Sequence, residues 1–151
     1  MKKYASALVV VAATLGATSA MAQFAKPEDA VKYRQSAMFV MQQNFGRVAA
    51  MAQGKAPFDA KVAADSAAVA EYMSKLPWAA FVAGSDKAGN TKAKPEVWSD
   101  SAKFNAAAEK MQGEMTKFSA AAKTGSLDNI KAALGGVGGS CKACHDDFRA
   151  Q

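Results

Sequence analysis

Apolar residues recur every three or four positions along four long stretches of the chain, which is the spacing of one face of an α-helix. The first stretch begins at residues 26–29, where a proline and two acidic residues are typical of a first helical turn, and it ends near Gln53 and Gly54. We therefore predict a long first helix. Its inward positions are Val31, Met38, Phe45, Val48 and Ala52.

The second stretch follows a short connector at residues 55–58. Asp59 is its predicted N-cap, and Pro77 and Trp78 mark its predicted end. The inward positions of this second helix are Val62, Ser66 or Ala67, Val69, Met73 and Leu76. Residues 84–95 are rich in turn formers, so they predict a crossover loop and neither a helix nor a strand.

The last two stretches carry the clearest patterns. Ser99 or Asp100 is the predicted cap of the third helix, whose stripe is Phe104, Ala108, Met111, Met115, Phe118 and Ala122. Ser126 is the predicted cap of the fourth helix, whose stripe is Leu127, Ile130, Leu134, Val137, Cys141, Cys144 and Phe148. Glycines at positions 135, 136, 138 and 139 either let a bulky group approach that helix or fray it.

Composition supports a helical fold. Half of the residues are apolar (50%), and the chain is rich in alanine with few runs of β-branched residues, which favours packed helices over sheets. We predict one all-α domain, a bundle of four helices with its own core. The lysines are scattered and not interleaved with aromatic residues, so we predict no binding of nucleic acid.

The N-terminus has the pattern of a secretory signal. Lys2 and Lys3 precede a short apolar run at residues 5–17, and Ala20-Met21-Ala22 matches a cleavage site. The apolar run is too short to span a bilayer, so we predict a removable signal peptide at residues 1–22 and no membrane insertion. The mature protein then covers residues 23–151, and loss of two lysines lowers the formal charge from +6 to +4.

The chemistry of the chain is concentrated at Cys141, Cys144 and His145. These are the only two cysteines and the only histidine, and on a helix they project from one flank. This spacing is typical of c-type haem attachment, in which two thiols form thioethers and the imidazole binds the iron. The alternatives have less support. A disulfide across two residues would stabilise little. A thioredoxin-like pair needs a βαβ unit and a zinc site needs a fourth ligand, and the sequence predicts neither.

Several other side chains are candidates for contact with a haem. Arg34 and Gln35 fall on the inward stripe of the first helix, where an arginine is costly unless an anion such as a haem propionate meets it. Alternatively, Arg34 extends its guanidinium to water. Trp78 and Phe81 are either core side chains or walls of a haem pocket. The hydroxyl of Thr91, in the crossover loop, is a further candidate for contact with the propionates.

Four parts of the chain together resemble the cytochromes c′: residues 23–35, residues 76–81, residues 94–98, and the stretch from Cys141 to His145 with Arg149. The resemblance covers essentially the whole mature chain. Cytochrome c′ is itself a standard example of the antiparallel up-down-up-down four-helix bundle, so that topology follows from the resemblance and not from the periodicity.

The resemblance implies one haem c per chain, held by Cys141 and Cys144, with His145 on the iron. It also implies that Arg34 and Gln35 lie on the propionate side and that Arg149 lies near the proximal imidazole. Family members are typically periplasmic homodimers that pair through the first two helices. Their iron is typically five-coordinate and high-spin, with an apolar distal face that admits NO and CO. The redox partner is not identified by the resemblance.

Met38 would lie over the iron in this resemblance, and two interpretations stay open. In the first, Met38 is a flexible apolar cap, and the five-coordinate protein transfers single electrons or binds small gases. In the second, its thioether is a sixth ligand, as in the low-spin cytochromes of the c-556 type. The remaining c′ pattern favours the first. A catalytic haem enzyme needs distal acid and base groups, which the stripe around Met38 does not provide, so we predict no enzyme activity.

Overall fold

The computed structural model describes residues 23–151, and the predicted signal peptide at residues 1–22 lies outside the described residues. The α-helices within 23–151 are α1 (Pro27–Ala52), α2 (Ala60–Met73), α3 (Glu96–Ser99), α4 (Ser101–Lys123) and α5 (Leu127–Phe148), with a 3₁₀ turn at Pro77–Ala80. In this part of the chain no strand is formed, and none of the helices is long and apolar enough to cross a membrane.

The four long helices form a closed bundle. α1 packs on α2, α2 on α4 and α4 on α5, while α5 returns to α1 along the loosest of the four seams. The connectors after α1 and α4 are short, as expected between antiparallel neighbours, and residues 74–100 provide the one long crossover. The predicted all-α four-helix fold is confirmed.

Side chains and glycines define the helix ends. The Asp59 carboxylate accepts a hydrogen bond from the backbone N–H of Val62 at 2.9 Å, and Asp100 and Ser126 cap α4 and α5 in the same way. After α1 and α4, Gly54 and Gly125 adopt φ values of 71° and 69°, which glycine reaches without steric cost. The three predicted caps are therefore confirmed.

The core consists of two clusters of buried side chains. The larger lies between α1, α2, α4 and α5 and includes Val48, Met115, Phe118 and Ile130. The smaller consists of Val97, Phe104 and Phe148, with Cys144 packed against it. All six positions of the predicted α4 stripe are buried, because a single apolar face of this helix meets α2 on one side and α5 on the other.

The prediction for α2 was wrong in two respects. α2 ends at Met73, before the predicted end at Pro77, and a 3₁₀ turn follows. Val62 and Val69, predicted to face inward, are 37% and 39% exposed. The buried face of α2 is instead a stripe of small residues that lets the helix approach its neighbours closely: Ala63, Ser66, Ala67 and Ala70.

Two smaller points also differ from the sequence analysis. α3 is a short helix before Asp100 that the pattern did not predict. The glycines do not fray α5, which runs unbroken to Phe148. One of them permits a close approach, since a Cβ at Gly136 would collide with Oε2 of Glu114. That carboxylate can sit over the backbone only because Gly136 has no side chain.

Candidate functional site

A cavity of about 570 Å³ opens along the α1–α5 seam, where both core clusters contribute to its walls. Its volume lies within the range of roughly 300–1,000 Å³ that is usual for ligand pockets. The structure brings all ten side chains singled out from the sequence to this one cavity: Arg34, Gln35, Met38, Trp78, Phe81, Thr91, Cys141, Cys144, His145 and Arg149. Their individual roles toward a cofactor stay predictions.

Cys141, Cys144 and His145 occupy the last turns of α5, which carry them along one side of the cavity. Both thiols are free and half-buried, so the alternative of a disulfide does not hold. Burial raises the pKa of Cys141, and burial with the nearby Cys141 and Asp147 raises the pKa of Cys144. Within residues 23–151, no three His, Cys, Asp or Glu side chains gather as ligands for a metal ion.

The surroundings of His145 favour the neutral form of its imidazole. Burial lowers the pKa of its imidazole, the charge of Arg149 lowers it further, and Asp146 acts in the opposite direction. The net lowering favours the neutral ring, whose free nitrogen lone pair is what an iron ion requires.

Most of the cavity wall is apolar. Aromatic rings form one side: Phe81 and Phe104 pack edge to face with centroids 4.8 Å apart, and Phe104 meets Phe148 at 5.2 Å. The remaining apolar wall comes mainly from four methionines and Phe45: Met38, Met41, Met111, Met115 and Phe45. Such a wall suits a large flat apolar ligand.

The charged groups at the cavity are all potential cations. Arg34, Lys92 and Arg149 line it together with His145, and no carboxylate does so among residues 23–151. An apolar cavity with cations at its edge matches an apolar molecule that carries anionic groups on one side.

Arg34 is almost fully buried, with only 2% of its surface exposed, so the interpretation that it extends to water was wrong. Nη1 donates to the carbonyl of Ala80 at 2.8 Å and to Oγ of Ser85 at 2.7 Å. Nη2 donates to the carbonyl of Ser85 at 2.9 Å and to Oγ1 of Thr91 at 2.8 Å. Burial lowers the pKa of the guanidinium from its usual value. Its partners within residues 23–151 are neutral oxygens, and a contact with a haem propionate stays a prediction.

Gln35 and Thr91 lie at the same edge of the cavity but differ in burial. Gln35 is exposed, not inward as predicted, because it lies beyond the edge of the buried face of α1. Its amide reaches the carbonyl of Asn90 at only 3.5 Å. Thr91 is partly buried, and Oγ1 accepts from both Arg34 and the backbone N–H of Ala93. With both lone pairs of Thr91 engaged, its hydroxyl proton points elsewhere.

The chain after the cysteine motif is fastened to the crossover loop. Ala93 and Arg149 form an isolated antiparallel bridge, in which the N–H of Lys94 donates to the carbonyl of Phe148 at 2.9 Å. The N–H of Ala150 returns to the carbonyl of Lys92 at 2.8 Å. This bridge, formed by residues 92–94 and 148–150, keeps Arg149 beside the cavity.

Two residues of the site, Met41 and Ser85, were not predicted from the sequence. Met41 was absent from the predicted stripe of α1, although it lies one helical turn after Met38 and so shares its face. Ser85 is fully buried and accepts two hydrogen bonds from Arg34. It was not predicted, because nothing in the sequence distinguishes a buried serine from an exposed one within a polar loop.

The family model described as Cytochrome C' matches residues 29–149 of the chain. The chain belongs to this family. It is 58% identical over 127 residues to cytochrome c′ of Rubrivivax gelatinosus, which covers 84% of this chain and 98% of the relative. To cytochrome c′ of Alcaligenes xylosoxydans it is 50% identical over 127 residues, with coverage of 84% and 98%.

Solved structures of cytochromes c′ have the same fold. A crystal structure of the Rubrivivax gelatinosus protein gives a TM-score of 0.82 at 58% identity, covering 85% of this chain and 100% of that one. A nitric oxide complex of a mutant of the Alcaligenes xylosoxidans protein gives 0.79 at 49% identity, covering 85% and 99%. Membership confirms haem c as the cofactor. The free thiols, the apolar wall and the cationic edge of the cavity fit that group.

Proposed function

We propose that this cytochrome c′ is an exported periplasmic protein that binds small diatomic gases at its haem and transfers single electrons. The observation that carries the proposal is the convergence of two free thiols, one imidazole and a buried cation on one apolar cavity. The nitric oxide complexes of the Alcaligenes xylosoxidans relative support the gas-binding part. The signal pattern at residues 1–22 supports export.

In this proposal, each side chain at the cavity has a distinct task. Cys141 and Cys144 form the two thioether links, and His145 binds the iron. Gln35 and Thr91 donate hydrogen bonds to the propionates, for which the Thr91 hydroxyl is free, and Arg34 adds charge and one remaining N–H. Haem c supplies the redox-active iron. Arg149 lies near the imidazole, where its charge adds to burial in lowering the pKa of His145.

The wall opposite the motif determines which ligands enter. Met38, Met41 and Phe45 are apolar and offer no hydrogen bond donor, so this wall disfavours water and anions and admits uncharged diatomic molecules. Within residues 23–151 no carboxylate lines the cavity and its one imidazole is assigned to the iron, so the proton transfers of a peroxidase would lack an acid and base. These features support gas binding and electron transfer over catalysis.

The coordination number is tested by Met38→Ala. We expect the purified protein to have high-spin absorption spectra in both oxidation states, and the variant to keep them. Removing the side chain should raise CO affinity roughly tenfold or more, since relief of steric crowding is worth about 1–3 kcal/mol. Met73→Ala, outside the cavity, is the control and should bind CO like the parent. A low-spin parent that becomes high-spin in Met38→Ala would establish the c-556-type alternative, with Met38 as sixth ligand.

We infer that the protein is a homodimer paired through α1 and α2. Among residues 23–151, five large apolar side chains are more than one-third exposed, and four of them lie on these two helices: Phe39, Val62, Val69 and Tyr72. Tyr72 and Phe39 are the most exposed of these side chains, at 64% and 60%, and an apolar surface on α1 and α2 supports pairing with a second chain.

Sedimentation tests the dimer. The parent should sediment as a dimer, and Tyr72→Lys should weaken dimerisation roughly tenfold or more, because a buried tyrosine at the centre of an interface is often a hot spot. Ala106→Lys adds the same charge to an exposed position of α4 and should leave the dimer intact. A parent that sediments as a monomer at every accessible concentration would contradict this part of the proposal.

A further inference from the structure

Arg34 has almost no hydrogen-bonding capacity left for a ligand. A guanidinium carries five N–H groups, and the four on Nη1 and Nη2 already point at Ala80, Ser85 and Thr91, at distances between 2.7 and 2.9 Å. Only the N–H on Nε lacks an acceptor among residues 23–151. Arg34 therefore has no pair of parallel N–H groups to offer a carboxylate, which is the usual way in which arginine holds one.

The acceptors of Arg34 all belong to the segment 80–91, which begins at the last residue of the 3₁₀ turn and contains no regular structure from residue 81 onward. Side chains hold this segment together. The Ser85 hydroxyl donates to the carbonyl of Val82 at 2.7 Å, and Nε1 of Trp98 donates to the carbonyl of Phe81 at 3.0 Å. Arg34 contributes four further bonds from α1, more than any other side chain of residues 23–151 makes to this segment.

Phe81 connects this link to the cavity. The guanidinium carbon of Arg34 lies 4.5 Å from the centroid of the Phe81 ring, within reach of a cation–π interaction. The other aromatic neighbours of that ring are Trp78, Phe104 and Trp98, at centroid distances of 6.3, 4.8 and 6.2 Å. The ring of Phe81 is thus fixed between α4 and a cation anchored on α1.

We propose that Arg34 is a positioning residue: it fastens the segment 80–91 to α1 and thereby sets Phe81 and Thr91 against the haem. It acts on gas binding through Phe81, and its link to the propionates is limited to the single N–H on Nε. The effect on gas binding rests on the proposed function, whereas the fastening of the segment does not.

Amide hydrogen exchange of the haem-loaded protein tests the fastening. The N–H groups of Phe81 and Ser85 are hydrogen bonded to the carbonyls of Trp78 and Val82 and report on the segment. In Arg34→Lys, which keeps the charge but has three N–H groups, exchange at Phe81 and Ser85 should rise roughly tenfold or more, because bonds from a charged donor are lost. Ser85→Ala should give a smaller rise of the same pattern without changing the charge near the propionates.

Arg47→Lys is the matched control. Arg47 lies on the same helix, is exposed and makes one bond to Ser66 at 3.2 Å. Exchange at Phe81 and Ser85 should be unchanged in this variant. If both Arg34→Lys and Ser85→Ala leave exchange at these amides as in the parent, the segment is not fastened by Arg34 and the proposal is wrong.

A double-mutant cycle on CO affinity tests the action through Phe81. When Phe81 is present, Arg34→Lys should change the dissociation constant for CO several-fold. When Phe81 is replaced by leucine, the same change at Arg34 should have no effect, because the ring that Arg34 positions is gone. An equal effect in both backgrounds would overturn the role of Phe81. Absence of CO binding in the parent itself would instead count against the proposed function and leave the exchange result to stand alone.

Discussion

Replacing both Cys141 and Cys144 by serine is expected to abolish covalent haem completely. Thioether bonds require sulfur, and these are the only two cysteines of the chain. After denaturation in detergent, the variant should show no haem-dependent staining and no added mass, whereas the parent should show one haem per chain. Ala143→Ser places a hydroxyl between the two cysteines at an exposed position and should retain the haem. Haem that survives denaturation in the double variant would refute attachment through these thiols.

The same double variant should also lose stability. Without the haem, a cavity of about 570 Å³ stands between α1 and α5, walled by methionine and aromatic side chains that would face water. Exposed apolar surface costs roughly 25 cal/mol per Å². In addition, α1 and α5 pack against each other less extensively than the other pairs of neighbouring long helices, so few direct contacts stabilise this seam without the haem. We expect broadened thermal unfolding and binding of a hydrophobic dye, both measured beside Ala143→Ser.

Phe118→Ala is expected to lower the free energy of unfolding by about 3–5 kcal/mol. Phe118 is fully buried in the larger core cluster, and its ring lies 5.1 Å from that of Phe45, which in turn lines the haem cavity. Truncation leaves a void that neighbouring helices cannot close without moving the cavity wall. Chemical denaturation of the haem-loaded protein measures the loss.

Phe58→Ala is the matched control for this change. Phe58 lies in the connector between α1 and α2 and is 37% exposed, so the identical truncation should cost about 1 kcal/mol or less. If the two variants unfold at the same denaturant concentration, Phe118 is not the central contact of the core that its burial indicates.

The sequence predicted those features that depend on a local repeat. The stripe of α4 was correct because every third or fourth residue of that helix meets another helix, and the seam of α5 brought Cys141 and Cys144 to the interior. The caps of α2, α4 and α5 were recognised because an N-cap needs only its own side chain and the next three residues.

Features that depend on distant contacts were missed or misplaced. The orientation of α2 was wrong because valines and alanines alternate at helical spacing, and close packing selected the smaller set: Val62 and Val69 outside, Ala63 and Ala70 inside. The environment of Arg34 was not predictable, since its acceptors lie 46 to 57 residues away and two of them are backbone carbonyls. Every residue has a backbone carbonyl, so the sequence does not indicate which of them accepts a hydrogen bond.

The bridge formed by residues 92–94 and 148–150 has a practical consequence for handling the protein. The carbonyl of Gln151 accepts from Nζ of Lys92 at 2.8 Å, so hydrogen bonding continues to the last residue. A purification tag fused after Gln151 would disturb its hydrogen bond with Lys92 and could displace Arg149, which lies four residues after His145. The other end of the chain carries the export signal pattern. A tag is therefore best inserted in the exposed turn at Gly54 and Lys55, because neither residue lines the haem cavity.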